Sequence, residues 1–170
     1  MTDLLQMNSP PIWHFFDDAL ADRIRTASHV NSYAEGQLIQ SRGDQNPSFS
    51  IVKSGSAHAG IFGEDGQFVM TTILRPGQTF GEFTLFADLP RTHDITAFDR
   101  TEIYDLPETK FFALYDEEPA FGRALFSSHL KRTHSLLELL DAMRRLPLRE
   151  RTAKVLLNLV NANESENLIE

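Results

Sequence analysis

"GQTFGEFTLFADLPRTHDITA", residues Gly77–Ala97, holds a carboxylate and a guanidinium inside a stretch that is otherwise apolar or glycine-turned. Gly81-Glu82 opens a short apolar segment, "EFTLFA", and Arg91-Thr92-His93 follows after Pro90. A solvated loop would space its charges among polar residues. Here one acid and one base are set into sequence that asks to be buried, and each then needs a partner or a ligand to offset its desolvation. The stretch therefore reads as the wall of a small polar pocket within an apolar framework.

On the N-terminal side the framework is one of short segments divided by glycine turns. Glu35-Gly36, Gly43-Asp44, Gly55, Gly60, Gly63 with Asp65-Gly66, and Pro76-Gly77 are the punctuation. Between them lie "SFSIV", "SAHAGIF" and "FVMTTIL", with "HDITAF" after the pocket stretch. Strands of this length with turns every eight to twelve residues or so predict a sandwich, barrel or jelly roll. Ahead of them, Phe15, Phe16, Leu20 and Ile24 recur at helical spacing after Pro10-Pro11, which predicts one amphipathic helix over Ile12–Ser28. After Pro107, "ETKFFALYDEEP" predicts a short helix ending before Pro119. "AFGRALFSSHLKRTHSLLELLDAMRR" then predicts one long helix, with Phe121, Leu125, Leu136, Leu140 and Met143 as its apolar stripe and Pro147 as its stop.

Composition narrows the chemistry. The 170 residues are 41% hydrophobic and 24% charged, as in an ordinary globular chain. Without cysteine there are no disulfides, thiolate nucleophiles or cysteine-ligated clusters. No apolar run is long enough to span a bilayer, and the acidic N-terminus has no signal-peptide pattern, so a cytoplasmic location is expected. A net charge of −8 argues against nucleic-acid binding by the whole surface. The basic run from Lys131 to Lys154 reads as a solvated helical face.

Five motifs in order carry a resemblance: "YAEGQLIQSRGD" at Tyr33–Asp44, "IVKSGSA" at Ile51–Ala57, "LRPGQTFGE" at Leu74–Glu82, "LPRT" at Leu89–Thr92 and "TAKVLLNLV" at Thr152–Val160. Together they resemble the cyclic-AMP receptor protein and FNR family of bacterial transcription regulators. The resemblance implies an α+β fold: a cyclic-nucleotide-binding β-roll (jelly roll) with an N-terminal helix and a long C-terminal dimerisation helix. It divides the chain into an N-terminal helical segment (1–29), the β-roll (30–108), a short helix plus the dimer helix (109–146), and a hinge with the first helix of an absent or truncated DNA-binding domain (147–170).

In that family the pocket stretch is a phosphate-binding cassette. The resemblance implies that Gly81 lets the backbone approach the ligand and that Glu82 accepts from a ribose hydroxyl. Phe83 belongs to the helical turn whose amides face an anion, and Arg91 and Thr92 hold the cyclic phosphate. His93 stands where the family usually has a small residue and could add a donor or fill the pocket. The purine-reading positions of the long helix would fall on Leu136 and Leu137, whose side chains cannot hydrogen-bond a base. Cyclic AMP or cyclic GMP is the implied effector, a second copy of the chain the implied partner, and no catalytic residue is expected.

Other readings stay open at this stage. Glu82 and Arg91 could simply pair in a vestigial pocket. Some relatives hold haem in place of nucleotide, with His93 as candidate iron ligand here. A cupin-type metal enzyme needs a His-x-His pair that the β region lacks. His129 and His134, five residues apart, point to different sides of one helix and no third ligand is evident, so they read as polar helix positions and not as a zinc site. A stand-alone nucleotide-binding regulatory protein without DNA contact is the main alternative function.

Overall fold

The structure, a computed structural model, describes residues 10–145, 147–150 and 152–153, and only the backbone of Leu139 and Met143. The expected hinge helix and "TAKVLLNLV" beyond Ala153 lie outside the described residues, as does the segment before Pro10.

Eight strands form two antiparallel sheets. β1 (His29–Tyr33), β8 (Thr101–Pro107), β3 (Ser48–Ser54) and β6 (Thr79–Phe80) make the first, in that order. β2 (Leu38–Gln40), β7 (Asp94–Ala97), β4 (Ala57–Phe62) and β5 (Phe68–Leu74) make the second. The roll expected from the glycine punctuation is therefore present, and each sheet is built by crossovers between distant parts of the chain. Ser48↔Pro107 through Val52↔Ile103 zip β3 to β8, and Ala57↔Ala97 through Gly60↔Asp94 zip β4 to β7.

β3 explains how the layers divide. Alternate side chains leave opposite faces of a strand. Phe49 and Ile51 enter a cluster with Leu106, Phe111, Phe121 and Leu125, while Val52 enters another with Ala57, Ala59, Leu74, Ile95 and Ile103. The first sheet is thus a wall with helices on one side and the second sheet on the other. Near its start, the roll-side residues of β3 are Ser48 and Ser50, and the Ser50 hydroxyl donates to Asp105 at 2.9 Å. The inside of the roll is apolar at one end and polar at the other.

Four α-helices are bounded among the described residues: α1 (Asp18–Ala27), α2 (Glu82–Ala87), α3 (Glu108–Glu117) and α4 (Pro119–Arg145). The single helix expected over Ile12–Ser28 is a correction: a 3-10 turn, Ile12–Phe15, precedes α1. The break is local chemistry. The Asp17 carboxylate accepts from the Leu20 amide at 2.8 Å and caps α1, so the chain before it cannot continue the helix. The 3-10 turn is pinned elsewhere, with Ile12 N–H donating to the Gly77 carbonyl at 2.8 Å.

α4 also departs from expectation, because it is apolar on two faces. Phe121, Ala124, Leu125, Ser128 and Ala142 are buried, whereas Phe126, Leu130, Leu136, Leu137 and Leu140 are exposed. The stripe read from sequence lies within an arc of about 100° and is buried at its start and exposed farther along the helix. Phe121 and Leu125 are buried, Leu136 and Leu140 are exposed, and the Met143 side chain is not among those described.

Candidate functional site

The pocket stretch folds as β6, a glycine turn, α2 and the start of β7. Gly81 has φ +103°, in the left-handed region, and an added Cβ would lie 2.2 Å from both Arg91 Nη1 and the Ser48 carbonyl oxygen. Only glycine lets the backbone pass there. The turn aims the first turn of α2, whose amides have no acceptors within the helix, at the same place.

Arg91 is held from both ends. Its backbone N–H donates to Asp44 O at 2.9 Å and its carbonyl accepts from Gly43 N–H at 2.9 Å, fixing it to the β2–β3 turn. The residue is 6% exposed. Nη2 donates to Asn46 O at 2.8 Å and to Ser48 O and Oγ at 3.1 Å, while Nη1 is a buried donor without a hydrogen-bond acceptor. Burial lowers the Arg91 pKa, against the opposing pull of Glu82, Asp105 and Asp44. One arm of a desolvated cation is thus satisfied by protein and the other is left at the Gly81 turn.

Glu82, 4% exposed, turns the other way. Its Oε1 accepts from the Thr79 hydroxyl and lies 3.7 Å from Arg132 Nη1 and 3.8 Å from His129 Nε2, both on α4. Arg132 also reaches the Thr79 carbonyl at 3.4 Å. It was read from sequence as part of a solvated face, and this is corrected: its side chain is 24% exposed and engaged with the cassette. A small cavity of about 20 Å³ lies beside it, lined in part by Thr79, Ser128 and Arg132.

Thr92 is exposed, and its Oγ1 lies 2.8 Å from His93 Nδ1. The His93 pKa is lowered by burial first and by the Arg42 cation second, with Asp94 opposing. Phe83 is 53% exposed, so what it brings to the turn is its backbone. Leu136 and Leu137 lie farther along α4, 41% and 59% exposed in the single chain. Gly81, Glu82, Arg91 and the Thr92–His93 pair are brought to one end of the roll. Sequence reasoning missed Asn46, Ser48, Thr79, His129 and Arg132 there. Of these Thr79 carried a signal, since it lies within the quoted Leu74–Glu82 motif, and the Gly43-Asp44 turn just ahead of Asn46 lies in another.

A buried guanidinium arm, a glycine where no side chain fits, and helix amides converge on one spot. That set suits an anionic oxygen, and a carboxylate and a hydroxyl nearby suit a sugar. The family model described as the cyclic nucleotide-binding domain matches residues 30–118, just over half of the chain. The chain belongs to this family. The cyclic nucleotide-binding domain match takes in the roll, the cassette and α3.

Among characterised proteins, the chain is 33% identical over 95 residues to a cAMP-dependent protein kinase regulatory subunit of Debaryomyces hansenii, covering 56% of this chain and 19% of that protein. It is 29% identical over 92 residues to the corresponding subunit of Blastocladiella emersonii, covering 54% and 23%. The chain spans less than a quarter of the length of these relatives. Among solved structures, the Thermus thermophilus Catabolite Activator Protein superposes with a TM-score of 0.66 at 21% identity, over 90% of this chain and 88% of that one. The N-terminal domain of a transcriptional regulator from Streptomyces coelicolor gives 0.62 at 23%, over 79% and 95%. At these identities the likeness is one of fold: the two-sheet roll with its C-terminal helix, as in bacterial regulators.

Proposed function

We propose that this cyclic nucleotide-binding domain is the effector-sensing part of a homodimeric transcription regulator, and that cyclic AMP or cyclic GMP is the effector. The observation that carries the reading is Arg91 Nη1, a buried cationic donor left unpaired beside the Gly81 turn. An equatorial phosphate oxygen there would receive both that donor and the first-turn amides of α2, and Glu82 would accept from the ribose. The domain binds and transmits and performs no chemistry of its own. It works in the cytoplasm; no helix among the described residues is long and apolar enough to cross a membrane.

Transmission follows from Glu82. The carboxylate that a ribose would engage already contacts Arg132 and His129 of α4. Ligand entry redistributes those contacts and so favours one placement of α4 over another. α4 is also where two chains meet. Phe126, Leu130, Leu137 and Leu140 form an exposed stripe with Thr133, spaced four, three, four and three residues apart, which is the seam of a two-stranded coil. The helices run parallel and hand the change on to a DNA-contacting domain.

A second reading, a nucleotide-binding regulatory subunit that acts on another protein, is favoured by the kinase regulatory subunits among the relatives. It shares the effector site and differs in what α4 addresses.

Calorimetric titration of the ligand-free protein with cyclic AMP and cyclic GMP tests the site, alongside Arg91→Ala and Arg91→Lys, with thermal melts to establish folding. Binding by the wild type, lost in a folded Arg91 variant, is expected. Unchanged affinity in both variants would remove Arg91, and with it this reading of the cassette.

A further inference from the structure

The dimer seam gives the two helix histidines a new relation. Phe121 and Leu125 pack into the core cluster with Phe49 and Phe111, Ala124 and Ser128 are buried, and the stripe from Phe126 to Leu140 is exposed. With that stripe as the a and d positions of a heptad, His129 falls on the g flank and His134 on the e flank. On one helix five residues turn them to opposite sides of the seam. Across two parallel helices the same spacing brings them together, because the g flank of one helix lies against the following e position of its partner.

We infer that His129 of one chain and His134 of the partner subunit form a divalent-cation site, of the zinc class, present twice in the dimer. The inference rests on the parallel dimer proposed above. The third ligand is Glu138, one helical turn after His134 on the same chain; His134 Nδ1 and Glu138 Oε2 are already 3.9 Å apart. Two imidazoles and a carboxylate with a fourth position open to water is a donor set that zinc accepts. The residues are accessible for this, with the His134 side chain 74% exposed and His129 34%.

His129 connects the site to the effector pocket. Its Nε2 lies 3.8 Å from the Glu82 carboxylate, so it ligates through the nitrogen that Glu82 does not face. A carboxylate behind a ligating histidine orients the ring and raises its basicity. Glu82 thereby stands between the metal and the effector, and the cation and the nucleotide bias each other's binding through it.

The test uses zinc chloride with the full chain, reading bound zinc by competition with a chromophoric chelator and association by sedimentation velocity. One zinc per chain is expected, with the dimer tightened at least about tenfold. His129→Gln and His134→Gln should each lose the site, and Glu138→Gln should weaken it. An equimolar mixture of the two histidine variants should regain about a quarter of wild-type capacity, since half of randomly assorted dimers are mixed and each mixed dimer holds one complete site. Zinc retained by a single variant, or no recovery on mixing, overturns the inference. A dimer indifferent to zinc overturns it and leaves the dimer reading standing, whereas a monomer at all concentrations overturns both.

Discussion

Gly81→Ala is the substitution whose cost can be worked from the structure. Two terms add. A side chain at φ +103° is strained by about 1–3 kcal/mol whatever surrounds it. The new methyl would also lie 2.2 Å from Arg91 Nη1 and from the Ser48 carbonyl oxygen. The carbonyl is part of β3 and cannot yield, so the guanidinium must move. It then loses some of its bonds to Asn46 and Ser48, each a charge-assisted contact worth about 1.5–3 kcal/mol. The total is roughly 3–5 kcal/mol, a large part of a typical domain's stability. At about 2–4 °C per kcal/mol for a chain of this size, Tm should fall by roughly 6–20 °C.

Gly66→Ala is the control. Its φ of +75° imposes the backbone strain, but no atom lies within 4 Å of the added methyl. It should cost about 1 kcal/mol by urea denaturation. The difference between the two variants isolates the encounter with Arg91. If Gly81→Ala costs no more than Gly66→Ala, the close packing of glycine against the guanidinium is not what the site is built on.

Three further outcomes are expected. In a double-mutant cycle of Glu82→Gln and Arg132→Gln, urea melts should show coupling of about 0.5–2 kcal/mol, since the two groups lie 3.7 Å apart and largely out of water; additive effects would deny the link between cassette and α4. His93 has its pKa lowered in the folded chain, so below pH 6.5 the unfolded chain takes up a proton that the folded chain resists. Stability should therefore fall as pH drops through that value, and His93→Asn should flatten this part of the slope between pH 7.5 and 5.5. Leu130→Glu with Leu137→Glu should yield a folded monomer by light scattering with little change in Tm, because both residues are more than half exposed within one chain.

How much of this was legible in the sequence depended on range. β3, β4, β5 and β7 were visible as short apolar runs between glycine turns, because strand and turn preferences are set within a few residues. The break before Asp17 is also local but is hidden by Phe15 and Phe16, which keep helical spacing across it. Helix α4 misled for a different reason. Its stripe keeps one arc of the helix, and only where the roll lies along that helix separates the buried Phe121 and Leu125 from the exposed Leu136 and Leu140. Arg132 was beyond reach, since nothing near it in sequence announces Glu82, fifty residues earlier, as its neighbour. The cassette residues were legible as a group. Their division of labour was not: Arg91 turns to β3 and Glu82 to α4 on either side of one glycine.

The wall formed by β3 gives the protein a parity rule for change. At its odd positions, Phe49 and Ile51, a substitution alters how the helices seat and leaves the lining of the roll alone. At its even positions, Ser48, Ser50 and Val52, a substitution alters that lining, with Ser48 reaching the cassette arginine itself. A single strand can thus accumulate variation in what the domain recognises while conserving how it signals, or the reverse. Adjacent residues on it are free to evolve under separate demands.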